Sequence, residues 1–207
     1  GYYMDSTYVA RMAGREDPRL FLFCLPTNVA ANAGKPVDDF TAYAGGNPTV
    51  PYGNNITLVR DGQISQINSH FRLDPVVEPT MLMGYAELQQ ILAEAAVRGW
   101  IDGDAKTYYE NGVRASFKFY ETYAEDYSRY VTEEAADDYL THNLVSFDNS
   151  MSEDEKIERI IFQKYCVSFY QGGWDPYFEN LRTGYPGLMH IEGTALPYRW
   201  MYPDTEY

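Results

Sequence analysis

The chain has 207 residues, with 16 Lys and Arg against 30 Asp and Glu and a formal net charge of −14 at pH 7. Binding to phosphate backbones needs clustered basic side chains, and no basic run exists here, so nucleic-acid binding is excluded and an anionic membrane surface is disfavoured. At 45% hydrophobic residues the chain can bury a core as one domain or two small ones, and no apolar run approaches the roughly 20 residues of a membrane span.

In chain order, residues 1–79 form a loop-rich region with short strands. Turn signals recur about every ten residues: Asp17-Pro18, Pro26, Gly34-Lys35-Pro36, Gly45-Gly46-Asn47-Pro48, Pro51-Tyr52-Gly53, Asp61-Gly62, Asp74-Pro75 and Glu78-Pro79. This leaves space for a helix over Tyr2–Ala13 and for short strands at Arg19–Leu25 and Ile56–Arg60.

From residue 80 the texture is helical. Thr80 is read as an N-cap and Met81–Arg98 as a helix with apolar residues Leu88, Ile91, Leu92, Ala95 and Ala96, stopped by Gly99. A second helix carries Tyr109, Gly112, Val113, Ser116, Phe117 and Tyr120 on one face. The two make a hairpin that meets part of the tetratricopeptide pattern through Leu92-Ala93, Ala105, Tyr109 and Gly112, although Gln89 and Ala96 stand where Trp and Tyr belong. Thr132 caps a helix reaching about Asn143. Ser152-Glu153-Asp154-Glu155 is a capping box opening a long helix that runs to Gly172-Gly173, and Trp174–Leu181 resumes it. The tail after Gly184 is extended and punctuated by proline.

The fold class is therefore mostly α, helical hairpins beside a loop-rich region. No nucleophile elbow, zinc motif, P-loop or dinucleotide fingerprint occurs, and Cys24 and Cys166 lack the spacing of a disulfide framework or zinc site. His70, His142 and His190 have no partners at ligand spacing. The carboxylate pairs fall in helix first turns, where acids favour the macrodipole, and so read as caps rather than a glycosidase dyad. Asp148, Ser150, Ser152 and Asp154 alternate as in a calcium loop but lack its glycine and closing Glu. The sequence thus presents no catalytic residues, metal ligands or cofactor fingerprint.

Four blocks of the second half carry a family resemblance: Tyr85-Ala86-Glu87-Leu88 leading to Leu92-Ala93-Glu94-Ala95 and Arg98-Gly99-Trp100; Tyr108-Tyr109-Glu110-Asn111-Gly112-Val113-Arg114-Ala115-Ser116; Ile161-Phe162-Gln163-Lys164-Tyr165; and Arg182-Thr183-Gly184-Tyr185-Pro186 followed by Leu196-Pro197-Tyr198-Arg199 and Tyr202-Pro203. In order and spacing, over roughly residues 75–207, they resemble the SusD/RagB outer-membrane lipoproteins. The resemblance implies a SusD-like α-α fold with tetratricopeptide-like hairpins over 80–207 and a ligand-side region over 1–79. It also implies no enzymatic activity and no cofactor. Family members are held on the outer membrane by an N-terminal lipid, face outward, and work with a SusC-like TonB-dependent transporter in importing nutrients, most often glycans. They are considerably longer, so the chain is expected to be the C-terminal part of a larger protein. Signal peptide and lipid anchor would lie outside it, and that lipid would be the one membrane contact.

Twenty Tyr, ten Phe and three Trp give 16% aromatic residues. Sugar rings are recognised by exposed aromatic faces with amides or Arg at the hydroxyl edge. The loops over 34–72 supply that mixture in Phe40, Tyr43, Asn47, Tyr52, Asn54, Asn55 and Arg72, and Trp174 is a second candidate that reads first as packing a helix end, since loop aromatics often pack on their own scaffold. Glu94 and Arg98 read as a surface ion pair, and Arg182, Gln163 and Lys164 as side chains bonding helix-end carbonyls. The expected function is nutrient binding, with oligosaccharide as ligand. The alternative is a scaffold or lid for a transporter of peptide or other non-glycan cargo, and a glycoside hydrolase is disfavoured.

Overall fold

The computed structural model describes residues 3–73 and 78–199. Tyr2, Asp74-Pro75 and Tyr202-Pro203, named above, lie outside the described residues.

The first helix, α1 (Ser6–Gly14), starts where Asp5 accepts hydrogen bonds from the Thr7 and Tyr8 N–H groups at 2.8 and 2.9 Å, an N-cap worth about 1 kcal/mol. Two expected strands are helices instead. The Arg19 run forms α2 (Arg19–Phe23), and all five of its residues are buried. A run enclosed on every side has no polar face, so its sequence carries no period that separates strand from helix. Ile56–Arg60 belongs to α4 (Tyr52–Arg60), after the short α3 (Asn28–Asn32). Its β-branched residues favour a strand only where a pleated surface receives them. Here Pro51 presets the first turn and the Asn55 amide donates to Asn47 O at 2.7 Å. Pairing in this half is confined, among the described residues, to the isolated bridges Tyr3–Gln66, Asp5–Gly46 and Cys24–Ile67. A 3₁₀ turn, Phe40–Ala42, and the short α5 (His70–Leu73) complete it.

The second half opens later than expected. Thr80 does not cap; α6 (Tyr85–Val97) starts behind Gly84. The Met81 N–H, which a helix from residue 81 would leave unpaired, donates instead to Gln171 Oε1 at 2.9 Å and ties this segment to the turn after α9. The end is as expected: Gly99 has φ 68°, with Gly99 N donating to Ala96 O and Trp100 N to Ala95 O, the two bonds of a Schellman stop.

The buried face of α6 is also not the aliphatic one. Ala86, Gln89, Gln90, Ala93 and Glu94 are buried, while Leu88 is exposed. Close approach to α7 (Ala105–Tyr123) explains this, since a Cβ on Gly112 would lie 2.2 Å from Gln90 Nε2, which donates to Tyr109 O at 3.0 Å. Only small or flat side chains fit such a contact. The predicted α7 face is buried throughout. A 3₁₀ segment, Glu125–Tyr130, leads to α8 (Glu133–Thr141), capped by Thr132. Next, α9 (Glu153–Val167) begins with the capping box of Ser152 and Glu155, and α10 (Asp175–Thr183) follows the glycine break.

One core joins both halves, drawing Met12, Leu20 and Phe23 from the first and Tyr109, Phe117, Tyr139 and Ile160 from the second. At its centre Arg19 is fully buried. Its Nε and Nη2 donate to Asp17 at 2.9 and 2.6 Å, Nη1 to Ser116 Oγ at 3.0 Å and Nη2 to Gln163 Oε1 at 2.8 Å. Burial alone would lower its pKa, but Asp17 reverses this and holds the guanidinium above the usual arginine value.

Candidate functional site

The side chains expected to bond helix-end carbonyls bond other side chains. Arg182 reaches Glu94 Oε2 at 2.7 Å and also pairs with Glu179. Lys164 pairs with Glu179, and Gln163 joins Arg19 to the Tyr139 hydroxyl. Glu94, expected in a surface pair, is buried and held by Arg98 Nε at 2.8 Å as well as by Arg182. Burial raises its pKa, yet the two guanidinium groups outweigh burial and hold it below the usual glutamate value. These groups tie α6, α9 and α10 together.

The predicted binding residues separate into two groups. Phe40 and Tyr43 pack on Phe21, with ring centroids 4.6 and 5.8 Å away. Tyr43 is 8% exposed, and its hydroxyl donates to Val37 O at 2.6 Å. Burial pushes its pKa up, so that hydroxyl stays a donor. Asn47 is exposed but organises its own loop, Oδ1 accepting from Thr49 N and Oγ1 at 2.8 and 2.7 Å. Asn54 and Arg72 are exposed. Tyr52, in the first turn of α4, is 66% exposed, and Trp174, just ahead of α10, is 59% exposed with its ring edge-on to Tyr177. Asn55, by contrast, is buried under the loop.

The cavities lie elsewhere. A groove of about 440 Å³ runs between α6 and α7, walled by Tyr85, Phe119 and Tyr123, and Leu82, Met83 and Leu88 stand exposed on the α6 side. A second cleft, of about 380 Å³, opens where residues 3–5 meet the end of α9 and is walled by Tyr3, Tyr8, Tyr165, Phe169 and Tyr170. Asp5 and Ser168 provide its side-chain polar edge along with the tyrosine hydroxyls. Nothing in the sequence patterns joins residue 5 to residue 170. The run Phe169-Tyr170 before Gly172-Gly173 is the one local signal, two rings carried on a tight turn.

The buried carboxylates are each matched to a base: Asp17 to Arg19, Glu94 to Arg98 and Arg182, and Glu78 to His70 at 3.2 Å. Among the described residues no group of three or more His, Cys, Asp or Glu is placed to hold a metal ion, and no helix is long and apolar enough to cross a membrane. Both cysteines are free and buried, and burial pushes the Cys166 thiol up to about 12.

Comparison with known proteins gives a consistent answer. A SusD-like family model described as starch-binding associating with outer membrane matches residues 1–203. A solved Bacteroides vulgatus structure, assigned to the outer membrane and to nutrient binding, is 51% identical with a TM-score of 0.96, over 99% of this chain and 45% of that one. Two SusD homologues from Bacteroides fragilis align over 99% of this chain. One is 58% identical, with a TM-score of 0.92 and 45% of its own length covered; the other is 33% identical, with 0.87 and 46%. The chain thus spans a little under half the length of these structures. No curated protein sequence matches.

Proposed function

Because the chain belongs to the SusD-like family, we propose that it is part of a non-enzymatic, cell-surface nutrient-binding subunit. The ligand is an oligosaccharide, and the subunit works with a SusC-like TonB-dependent transporter at the outer membrane, anchored by a lipid outside this chain. The observation that carries the reading is the outward display of aromatic rings at helix starts, Tyr52 on α4 and Trp174 at α10. A flat exposed ring beside amides suits a sugar face and its hydroxyls. Asn47, Asn54 and Arg72 serve as hydroxyl partners.

The exposed side chains of Leu82 and Met83, just ahead of α6, and of Leu88 on it favour the second reading, a scaffold that docks a helical neighbour. Calorimetric titration of neutral oligosaccharides into the protein, with Tyr52→Ala and Trp174→Ala variants, separates the two. Binding weakened at least tenfold by either variant at unchanged melting temperature supports nutrient binding. A protein that binds no saccharide overturns it in favour of the scaffold.

A further inference from the structure

The cleft between residues 3–5 and the end of α9 is built before any ligand arrives. Tyr8 stacks on Phe169 at 5.6 Å and 18°, Tyr165 meets Tyr8 edge-on at 4.7 Å, and Phe23 backs Phe169 at 4.1 Å. These rings are fixed by one another and by the core, so their positions cost no ordering on binding. The Asp5 carboxylate lines the cleft, and only its Oδ1 is engaged by the α1 cap among the described residues. Ser168 Oγ donates to Tyr165 O and keeps its lone pairs for an incoming hydroxyl. Burial, and then Asp5, push the Tyr165 hydroxyl up to about 12, so it stays a donor.

Tyr170 forms the rim. It has φ 61°, the left-handed region, where a bulky residue is strained, and yet it is 49% exposed. A half-exposed ring that meets Phe71 and Phe169 at centroid distances of 6.0 and 6.2 Å recovers only part of that strain through packing. The turn that holds it is closed by Gln171 N and Gly172 N, both donating to Ser168 O. Strain retained at a ring facing solvent marks a ligand contact more readily than a packing contact.

We propose that this cleft is a saccharide subsite that takes one neutral pyranose ring, stacked on Tyr170 and hydrogen-bonded at its edge by Asp5 and Ser168. It rests on the nutrient-binding reading and gives that reading a subsite and a ligand charge. Asp5 is the one charged residue of the lining, with Arg11 behind it near enough to act on Asp5 and Tyr165; a uronate or sulfate placed against Asp5 is repelled, while that carboxylate accepts from two neutral hydroxyls at once. An organic cation would need several open ring faces converging on it. Here Tyr8 and Phe169 cover each other and Tyr165 abuts Tyr8, which leaves Tyr170 at the rim and Tyr3 as the remaining rings, too few to cage a cation.

The test uses Tyr170→Gly, which removes the ring and accepts the positive φ, and Asp5→Asn, which keeps an N-cap of equal quality. Both variants are expected to melt no lower than wild type by more than a degree or two. Maltoheptaose, cellohexaose and chitohexaose are titrated by calorimetry, with oligogalacturonate and choline as charged probes. Tenfold or greater weakening of a neutral oligosaccharide in Tyr170→Gly, severalfold weakening in Asp5→Asn and no binding of oligogalacturonate are expected. Wild-type saccharide binding that neither variant alters overturns the subsite and leaves the nutrient-binding reading standing. A wild type that binds none of the neutral oligosaccharides overturns both. Choline binding lost in Tyr170→Gly, in place of saccharide binding, overturns the ligand class.

Discussion

Replacement of Gly112 by alanine tests how α6 and α7 are held together. In an isolated helix the change is favourable by about 1 kcal/mol, because glycine carries the larger entropy loss. In this protein the new Cβ would lie 2.2 Å from Gln90 Nε2, 2.9 Å from Gln90 Cδ and 3.1 Å from Ala86 O. The amide is buried and donates to Tyr109 O, so it cannot withdraw without losing that bond. Overpacking costs about 1–3 kcal/mol, and a buried amide left without its partner costs about 1–3 kcal/mol more. After the helix gain the net is a loss of about 1–5 kcal/mol, or roughly 2–20 °C in melting temperature for a chain of this size. Thermal and urea unfolding of Gly112→Ala, of Gln90→Ala and of the double variant measure it. The double variant should recover much of the loss, giving a coupling of at least about 1 kcal/mol between two residues in contact. A Gly112→Ala protein as stable as wild type, or more so, refutes the reasoning.

Removing the Arg19 guanidinium by Arg19→Met leaves Asp17 buried and unpaired, and should cost about 3–5 kcal/mol; the Arg19→Met, Asp17→Ala double variant should cost less than the two single changes summed, and an additive result in chemical denaturation would exclude a coupled pair. Glu94 has a folded pKa held below its ordinary value of 4.5, so its contribution is present above the unfolded pKa and lost as pH falls through the folded one. Glu94→Gln should accordingly melt below wild type at pH 7, with the gap closing below pH 4.5; a gap constant from pH 7 to 3 would show that the charge of Glu94 is not what stabilises.

What could be read directly from the chain depends on range. The capping box at Ser152, the Thr132 cap, the Gly99 stop and the buried face of α7 each act within a turn or two of helix, so neighbouring residues suffice to specify them. Three of the four blocks that resemble a known family lie on α6, α7 and α9, which is why fold and kinship were legible while the cleft at residues 3–5 was not.

The remainder was decided in three dimensions. Enclosure on all sides turned the Arg19 run into a helix, because an apolar stretch without a polar face has no period to display. The approach of α7 chose the alanine and glutamine face of α6 over its aliphatic one, a choice set by space at Gly112 rather than by hydrophobicity. Arg19 finds Asp17 nearby but Ser116 and Gln163 only across 97 and 144 residues of chain. The cleft likewise joins Asp5 to Tyr170. Sequence alone determines helices through hydrogen bonds and rotamers close along the backbone; which faces meet, and which side chains share a cavity, is set by packing between segments whose separation leaves no local trace.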